Sequence, residues 1–344
     1  MSGRRDRAVE LGGGGAPARA RPTLSWSSAA QKRRLARGLE LVEERLTSVA
    51  AEYPGELGEA CRATLSAGGK RVRPLLTLLC ARRGEAPGES VLRAAAAVEL
   101  LHMATLVHDD VLDRAELRRG KPTVAHRYGP ATAVSAGNYL LARAFSELVG
   151  AGSPEAVDLL SATAVGLSEG EVFQRAEAHD VTVDVAAYVR RCERKTADLF
   201  AAACALGALL SGAGDETTGA VGSYGRLIGI AFQVFDDILD CSGDEAVTGK
   251  RPGTDVRDGT ITLPLIYALE ARPELAEILR RPGPSEADVE LVLLAVADTG
   301  ALQRARDDAL RYIGDARAVL AAGPDTVERA LLEQVAAQVV DRYS

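Results

Sequence analysis

"SVLRAAAAVELLHMATLVHDDVLD", Ser90–Asp113, decides the class of fold. Its alanines and leucines keep helical spacing and run without a break into three acids, Asp109, Asp110 and Asp113. Residues four apart on a helix share a face, so Asp109 and Asp113 stack one turn apart. The spacing returns in "FDDILD", Phe235–Asp240, where Asp236 and Asp240 stack around Asp237. Like charges at that spacing repel. Apolar company raises the cost unless cations neutralise the acids.

The rest of the chain fits an all-α reading. Its 344 residues are 47% hydrophobic, which suffices for one large core. Aromatics are only 4%, and alternating Val/Ile/Thr runs are scarce. A net charge of −7 argues against a nucleic-acid partner. Five cysteines, Cys61, Cys80, Cys192, Cys204 and Cys241, form no CxxC pair and read as small buried residues in a reducing compartment. Residues 1 to about 28 are rich in Gly, Ala, Arg and Pro and are expected to be a disordered tail, with at most peripheral contact to anionic lipid. They lack the apolar core of a secretory signal. The longest apolar run, "LFAAACALGALLSGAG" from Leu199, is too short to span a bilayer. The expectation is a soluble, cytoplasmic protein with one helical domain over residues 29–344.

Helical periods cover Gln31–Glu52, Leu75–Arg83, Ser90–Val111, Ala131–Val149, Pro154–His179, Val185–Ser211, Thr217–Leu239 and Leu263–Ala271, with two or three more helices after Ser285. "AGGKRVRP" (Ala67–Pro74) reads as a turn and Gly120–Pro122 as a loop. Cys241–Thr262, rich in glycine and charge, has the character of a loop over a site. No strand pattern survives, and no linker divides the chain.

One DDxxD alone reads equally as a solvated helix face. Two of them in apolar surroundings favour a metal. Hard carboxylate oxygens suit Mg²⁺, which takes one or two carboxylates and fills its octahedron with substrate phosphates and water. An EF-hand lacks support, because its glycine and spacing are missing. Basic residues complete the pattern: Lys70, Arg71 and Arg73 in "GGKRVRP", Arg118 and Arg119 in "RRG", Lys195 in "RKTADLF", and Lys250 in "GKRPGTD". Singly, each reads as a surface charge. Beside glycine turns and acidic helices they favour a diphosphate site.

On "GGKRVRP", "ELLHMATLVHDDVLD", "RRGKPT", "GNYLLARAF", "KTADLF", "AFQVFDDILD" and "GKRPGTDVRDGTITLPL", the sequence closely resembles the trans-polyprenyl diphosphate synthase family from about residue 31 onward. The resemblance implies a single large helical bundle around a central cavity, as a homodimer. It implies head-to-tail condensation of isopentenyl diphosphate with an allylic diphosphate. Mg²⁺ falls to Asp109, Asp113, Asp236 and Asp240, with Asp110 and Asp237 in support. The allylic diphosphate falls to Arg118, Lys195 and Lys250, and isopentenyl diphosphate to Lys70, Arg73, His102 and Arg119. Thr196 and Gln233 match polar residues near the developing carbocation. The chain departs from the family at Asn138, where aspartate is usual, which puts that position's role in doubt.

In such enzymes the residue five before the first aspartate often sets product length. Here it is Ala104, followed by Thr105, with Leu101 and Ala97 taken as the deeper members of its column. Small side chains there favour roughly six to nine isoprene units, one per helical turn of about 5.4 Å. A geranylgeranyl diphosphate synthase is the alternative. A class I terpene cyclase and a non-catalytic subunit of a heteromeric synthase are rival classes. The paired basic sites argue against the first and the six intact acids against the second.

Overall fold

In the computed structural model of the chain, the described residues are 25, 28–66, 69–84, 86–118, 120–242 and 251–341. The expected tail therefore lies almost wholly outside them. The helices are α1 (Ala29–Ala51), α2 (Gly55–Ser66), α3 (Val72–Cys80), α4 (Glu89–Leu112), α5 (Val124–Tyr128), α6 (Pro130–Ala151), α7 (Pro154–Ala176), α8 (Val185–Cys192), α9 (Asp198–Leu210) and α10 (Asp215–Ser242). There follow α11 (Thr254–Asp258), α12 (Leu263–Ala271), α13 (Ala276–Leu279), α14 (Glu286–Asp298), α15 (Ala301–Ala322) and α16 (Arg329–Asp341).

The centre of the bundle is α4. Apolar on nearly every side, it has no solvent face to offer, so its neighbours close around it. It packs most extensively on α6 and also meets α1, α3 and α9. Residues Ala94–Ala97 are fully buried, and their small side chains let those neighbours approach. By length and composition α4 could cross a membrane, but here it is a core helix. Side-chain caps start several helices: Ser28 on α1, Thr123 on α5, Ser153 on α7 and Asp184 on α8. All five cysteines are free and buried.

Several local features depart from the sequence expectation, among them the helix Thr254–Asp258 inside the stretch read as a loop. The loop at Gly120–Pro122 belongs to a short antiparallel hairpin, β1 (Leu117–Arg118) with β2 (Lys121–Pro122). With four paired residues, it is too short for any period to register. Helix α2 was not anticipated, because Gly55 and Gly58 mask its period, yet Ala60, Cys61 and Leu65 are buried along one side. The expected helix Val185–Ser211 is split by one π turn, Glu193–Ala197, between α8 and α9. A π turn is common at functional sites. Glycines flank it on both sides: a Cβ at Gly170 of α7 would come within 2.6 Å of the Lys195 backbone, and one at Gly229 of α10 within 2.6 Å of the Ala197 Cα.

Candidate active site

The first acidic face comes off the end of α4. Its acids meet basic groups from different elements. Arg118 of the hairpin donates through Nε to Asp110 Oδ1 at 2.7 Å, and Arg175 of α7 lies 3.5 Å from Asp113. Lys195 faces Asp109 electrostatically. Burial pushes the Asp109 carboxyl up to about 6; Lys195 opposes the shift, and Glu171 and Asp113 add repulsion. Asp110 and Asp113 are also raised, each by burial first.

The second face comes off the end of α10. Asp237 is buried, and its carboxyl is raised by that burial against hydrogen bonds that hold it down. Tyr188 of α8 donates to its Oδ2 at 2.6 Å, and Gln233 Nε2 donates to Oδ1 at 2.8 Å. Gln233 Oε1 in turn accepts from Thr196 Oγ1 at 2.7 Å. The π turn is thus tied to the second motif through two predicted residues. Asp240 accepts from the backbone N–H groups of Thr254 and Asp255 at 3.2 and 3.0 Å, so it caps α11 as well as facing Asp236 one turn away.

Several residues escaped sequence reasoning. Glu171 and Gln174 of α7 both accept from Lys195 Nζ, at 2.8 and 2.9 Å, and Glu171 also pairs with Arg175. Their signal was the polar spacing in "EGEVFQR". Asp258, in the glycine-rich stretch read as a loop over the site, has its carboxyl raised by burial and then by repulsion from both Asp113 and Asp240. It therefore lies within electrostatic reach of both motifs. Tyr188 carried no sequence signal.

The basic loop is built around Arg71, whose backbone is left-handed at φ 49°. Its buried guanidinium bonds Glu43, Glu99 at 2.7 Å and the Leu65 carbonyl. Arg71 thus anchors the turn between Lys70 and Arg73. The Arg73 guanidinium lies 4.7 Å over the Phe200 ring. His102 is half-buried, and its carbonyl accepts from Thr105 Oγ1 at 2.8 Å. Arg119 and Lys250 lie outside the described residues. Asn138 is exposed on α6.

The three chain-length candidates lie on different sides of α4 relative to the first acid. At about 100° per residue, Thr105 and His102 share the face of Asp109, while Ala104 points roughly 140° away. Thr105 and His102 are half-buried, and Ala104 and Leu101 are 1% and 2% exposed. His108, on the side of Ala104, packs its ring where a Gly137 Cβ on α6 would stand.

The family model for polyprenyl synthetase matches residues 54–296. The chain belongs to the polyprenyl synthetase family. It is 40% identical over 306 residues to heptaprenyl diphosphate synthase component 2 of Geobacillus stearothermophilus, covering 88% of this chain and 95% of that protein. It is 38% identical to geranylgeranyl diphosphate synthase of Methanosarcina mazei, covering 84% and 90%. A solved polyprenyl synthase from Caulobacter crescentus, complexed with calcium and isoprenyl diphosphate, superposes with a TM-score of 0.83 at 36% identity over 91% and 96% of the two chains. As a member, the chain is a prenyltransferase with the all-α isoprenoid synthase fold.

The donor set fits a divalent metal. It is made of hard carboxylates, and at Asp109 and Asp113 burial and the repulsion of neighbouring acids push toward protonation, a strain a cation relieves. Among the described residues, no three acids or histidines converge tightly enough to hold one ion alone. The ligand count suits an ion that completes its shell with diphosphate oxygens and water.

Proposed function

We propose that this prenyltransferase condenses isopentenyl diphosphate head-to-tail with an allylic diphosphate, using Mg²⁺, and releases an all-trans polyprenyl diphosphate of six to nine units. The observation that carries this reading is the joining of both acidic faces to one cationic side chain and one polar chain. Lys195 faces Asp109 and Glu171, and its neighbour Thr196 reaches Asp237 through Gln233.

Asp109, Asp113, Asp236 and Asp240 would hold the metal, which neutralises charge on the departing diphosphate. Lys195 and Arg118 bind the allylic diphosphate as its C–O bond breaks. Lys70, Arg73 and His102 hold isopentenyl diphosphate with its double bond toward the cationic carbon. That double bond supplies the electron pair of the new C–C bond. A proton then leaves to the released diphosphate, restoring an allylic product. The apolar surroundings of α4 keep water from the cation.

Product length rests on the acid-bearing face of α4. Between Ala94 and Asp109 this helix carries no Phe, Tyr or Trp, and Thr105 is the first small side chain below the acids. A geranylgeranyl product remains the alternative. We place the enzyme in the cytoplasm, with its reduced buried cysteines, as a homodimer. An apolar face of α6 and α7 supports the dimer: Val149, Val165, Val172 and Phe173 are 42–68% exposed.

The test is mass spectrometry of products from purified protein, Mg²⁺, isopentenyl diphosphate and a farnesyl or geranylgeranyl primer. Chains of six to nine units are expected. Turnover of the allylic diphosphate alone would point to a cyclase. Activity that appears only on adding a second protein would point to a heteromeric synthase.

A further inference from the structure

Asp237 differs from the other acids of the two motifs. Both of its oxygens are engaged by side chains, Oδ2 by the Tyr188 hydroxyl and Oδ1 by the Gln233 amide. Tyr188 is 1% exposed and Asp237 5%. The chain of bonds runs on to Thr196, so four side chains from α8, the π turn and α10 are locked together.

That chain has a direction. A carboxylate only accepts, so Gln233 must turn its NH₂ toward Asp237 and its carbonyl toward Thr196. A flipped amide would set two acceptors, Gln233 Oε1 and Asp237 Oδ1, against each other. Thr196 then gives its one proton to Gln233 and keeps only lone pairs. Tyr188, on the far oxygen, stops the carboxylate from rotating away. Its ring is held in turn by Arg191, whose guanidinium lies 5.7 Å from the ring centre and bonds Glu177 and the Ile261 carbonyl.

We propose that Tyr188 is a positioning residue: through Asp237 it fixes Gln233 and Thr196 so that both offer oxygen lone pairs to the electron-poor carbon of the substrate. This rests on the prenyl-transfer reading, in which those two side chains face the developing cation. Preorganised dipoles of the right sign stabilise charge that appears only in the transition state. Asp237 on this account is an anchor within the second motif and not a metal ligand.

The test is steady-state kinetics of Tyr188→Phe, which keeps the ring and removes only the hydroxyl. The expected result is a fall in kcat of roughly tenfold or more. The KM values of both diphosphates and the half-saturating Mg²⁺ should stay within about twofold. In a Gln233→Met background, where no amide remains to be oriented, adding Tyr188→Phe should change kcat by less than about twofold. Wild-type kcat in Tyr188→Phe, or full independent effects in the double variant, would overturn the inference. Should Tyr188→Phe fail to fold, a crystal structure of the wild-type enzyme with Mg²⁺ and a non-cleavable allylic diphosphate decides it. Asp237 retained on Tyr188 and Gln233 supports the role, and Asp237 bound to metal sinks it. A wild-type protein that forms no C–C bond would remove the reaction and this inference together. A fully active Tyr188→Phe removes this inference alone.

Discussion

Asp109 carries the largest cost of building the first acidic face. Its carboxyl stands at about 6, against an ordinary 3.8, chiefly because it is buried. The folded chain therefore holds this proton more tightly than the unfolded chain. Below about pH 4 the group is neutral in both states and costs nothing, and as pH rises from about 4 to 6 its ionisation removes stability. Asp109→Asn should then stabilise the fold near pH 8 by on the order of 1–2 kcal/mol, read as a higher melting temperature, with the gain gone near pH 4. Turnover in the same variant should fall by at least about a hundredfold. Melting curves at both pH values and a kinetic assay check this; equal stability of variant and wild type near pH 8 would refute the burial cost. Two neighbouring positions test the tunnel. Thr105 shares the acid face, so Thr105→Phe should shorten the product to roughly three or four units, that side chain standing about 6 Å, a little over one helical turn, below Asp109. Ala104 is only 1% exposed, so Ala104→Phe should crowd its buried neighbours and cost about 1–3 kcal/mol. Product chromatography and thermal melts separate the two. A shortened product from Ala104→Phe alone would return the ruler to the column through Leu101.

At the scale of elements, the sequence told more about where helices lie than about how they are aimed. Alanine and leucine at helical spacing located α4, α6, α7 and α10 to within a few residues, because a buried helix repeats one pattern over many turns. The π turn was not legible. One extra residue in a turn leaves composition unchanged, yet it rotates everything after it and decides which way Lys195 and Thr196 point. Which side of α4 meets the growing chain is not legible for a related reason. A spacing of five residues along α4 crosses to another face, and only packing, such as the His108 ring against Gly137, fixes which face meets α6. Tyr188 acts on Asp237, 49 residues away in sequence, so no local pattern marks it. The π turn makes a prediction of its own. A Cβ at Gly229 would lie 2.6 Å from Ala197 Cα and 3.0 Å from its Cβ. Gly229→Ala should push α10 from the turn, costing about 1–3 kcal/mol and lowering kcat through the Thr196–Gln233 bond. A variant with wild-type melting and wild-type kcat would mean that the contact yields without disturbing the site.

For the whole molecule, the question is what covers the outer face of α6 and α7. A groove of about 490 Å³ runs there, lined by Phe145, Ser161, Val165, Ser168, Val172 and Phe173. On α7, Ser161, Val165, Ser168 and Val172 follow each other at spacings of four, three and four, the repeat by which one helix seats against another. Small serines alternating with valines make a shallow, self-complementary seam, and a symmetric pair of copies would bury each seam against the other. Apolar patches of this kind rarely stay exposed on a monomer. The two acidic motifs lie at the ends of α4 and α10, outside this seam. Val165→Asp together with Val172→Asp places two charges per copy in the seam, where they would face their own images across a two-fold axis. Light scattering after size exclusion should give two copies for the wild-type chain and one for the double variant. Because α7 also carries Glu171 and Gln174, the isolated copy should lose rigidity around Lys195 and turn over more slowly even at saturating Mg²⁺ and substrates. A double variant that stays dimeric would move the interface to another face of the bundle. A monomer with undiminished kcat would keep the interface and remove its link to the site.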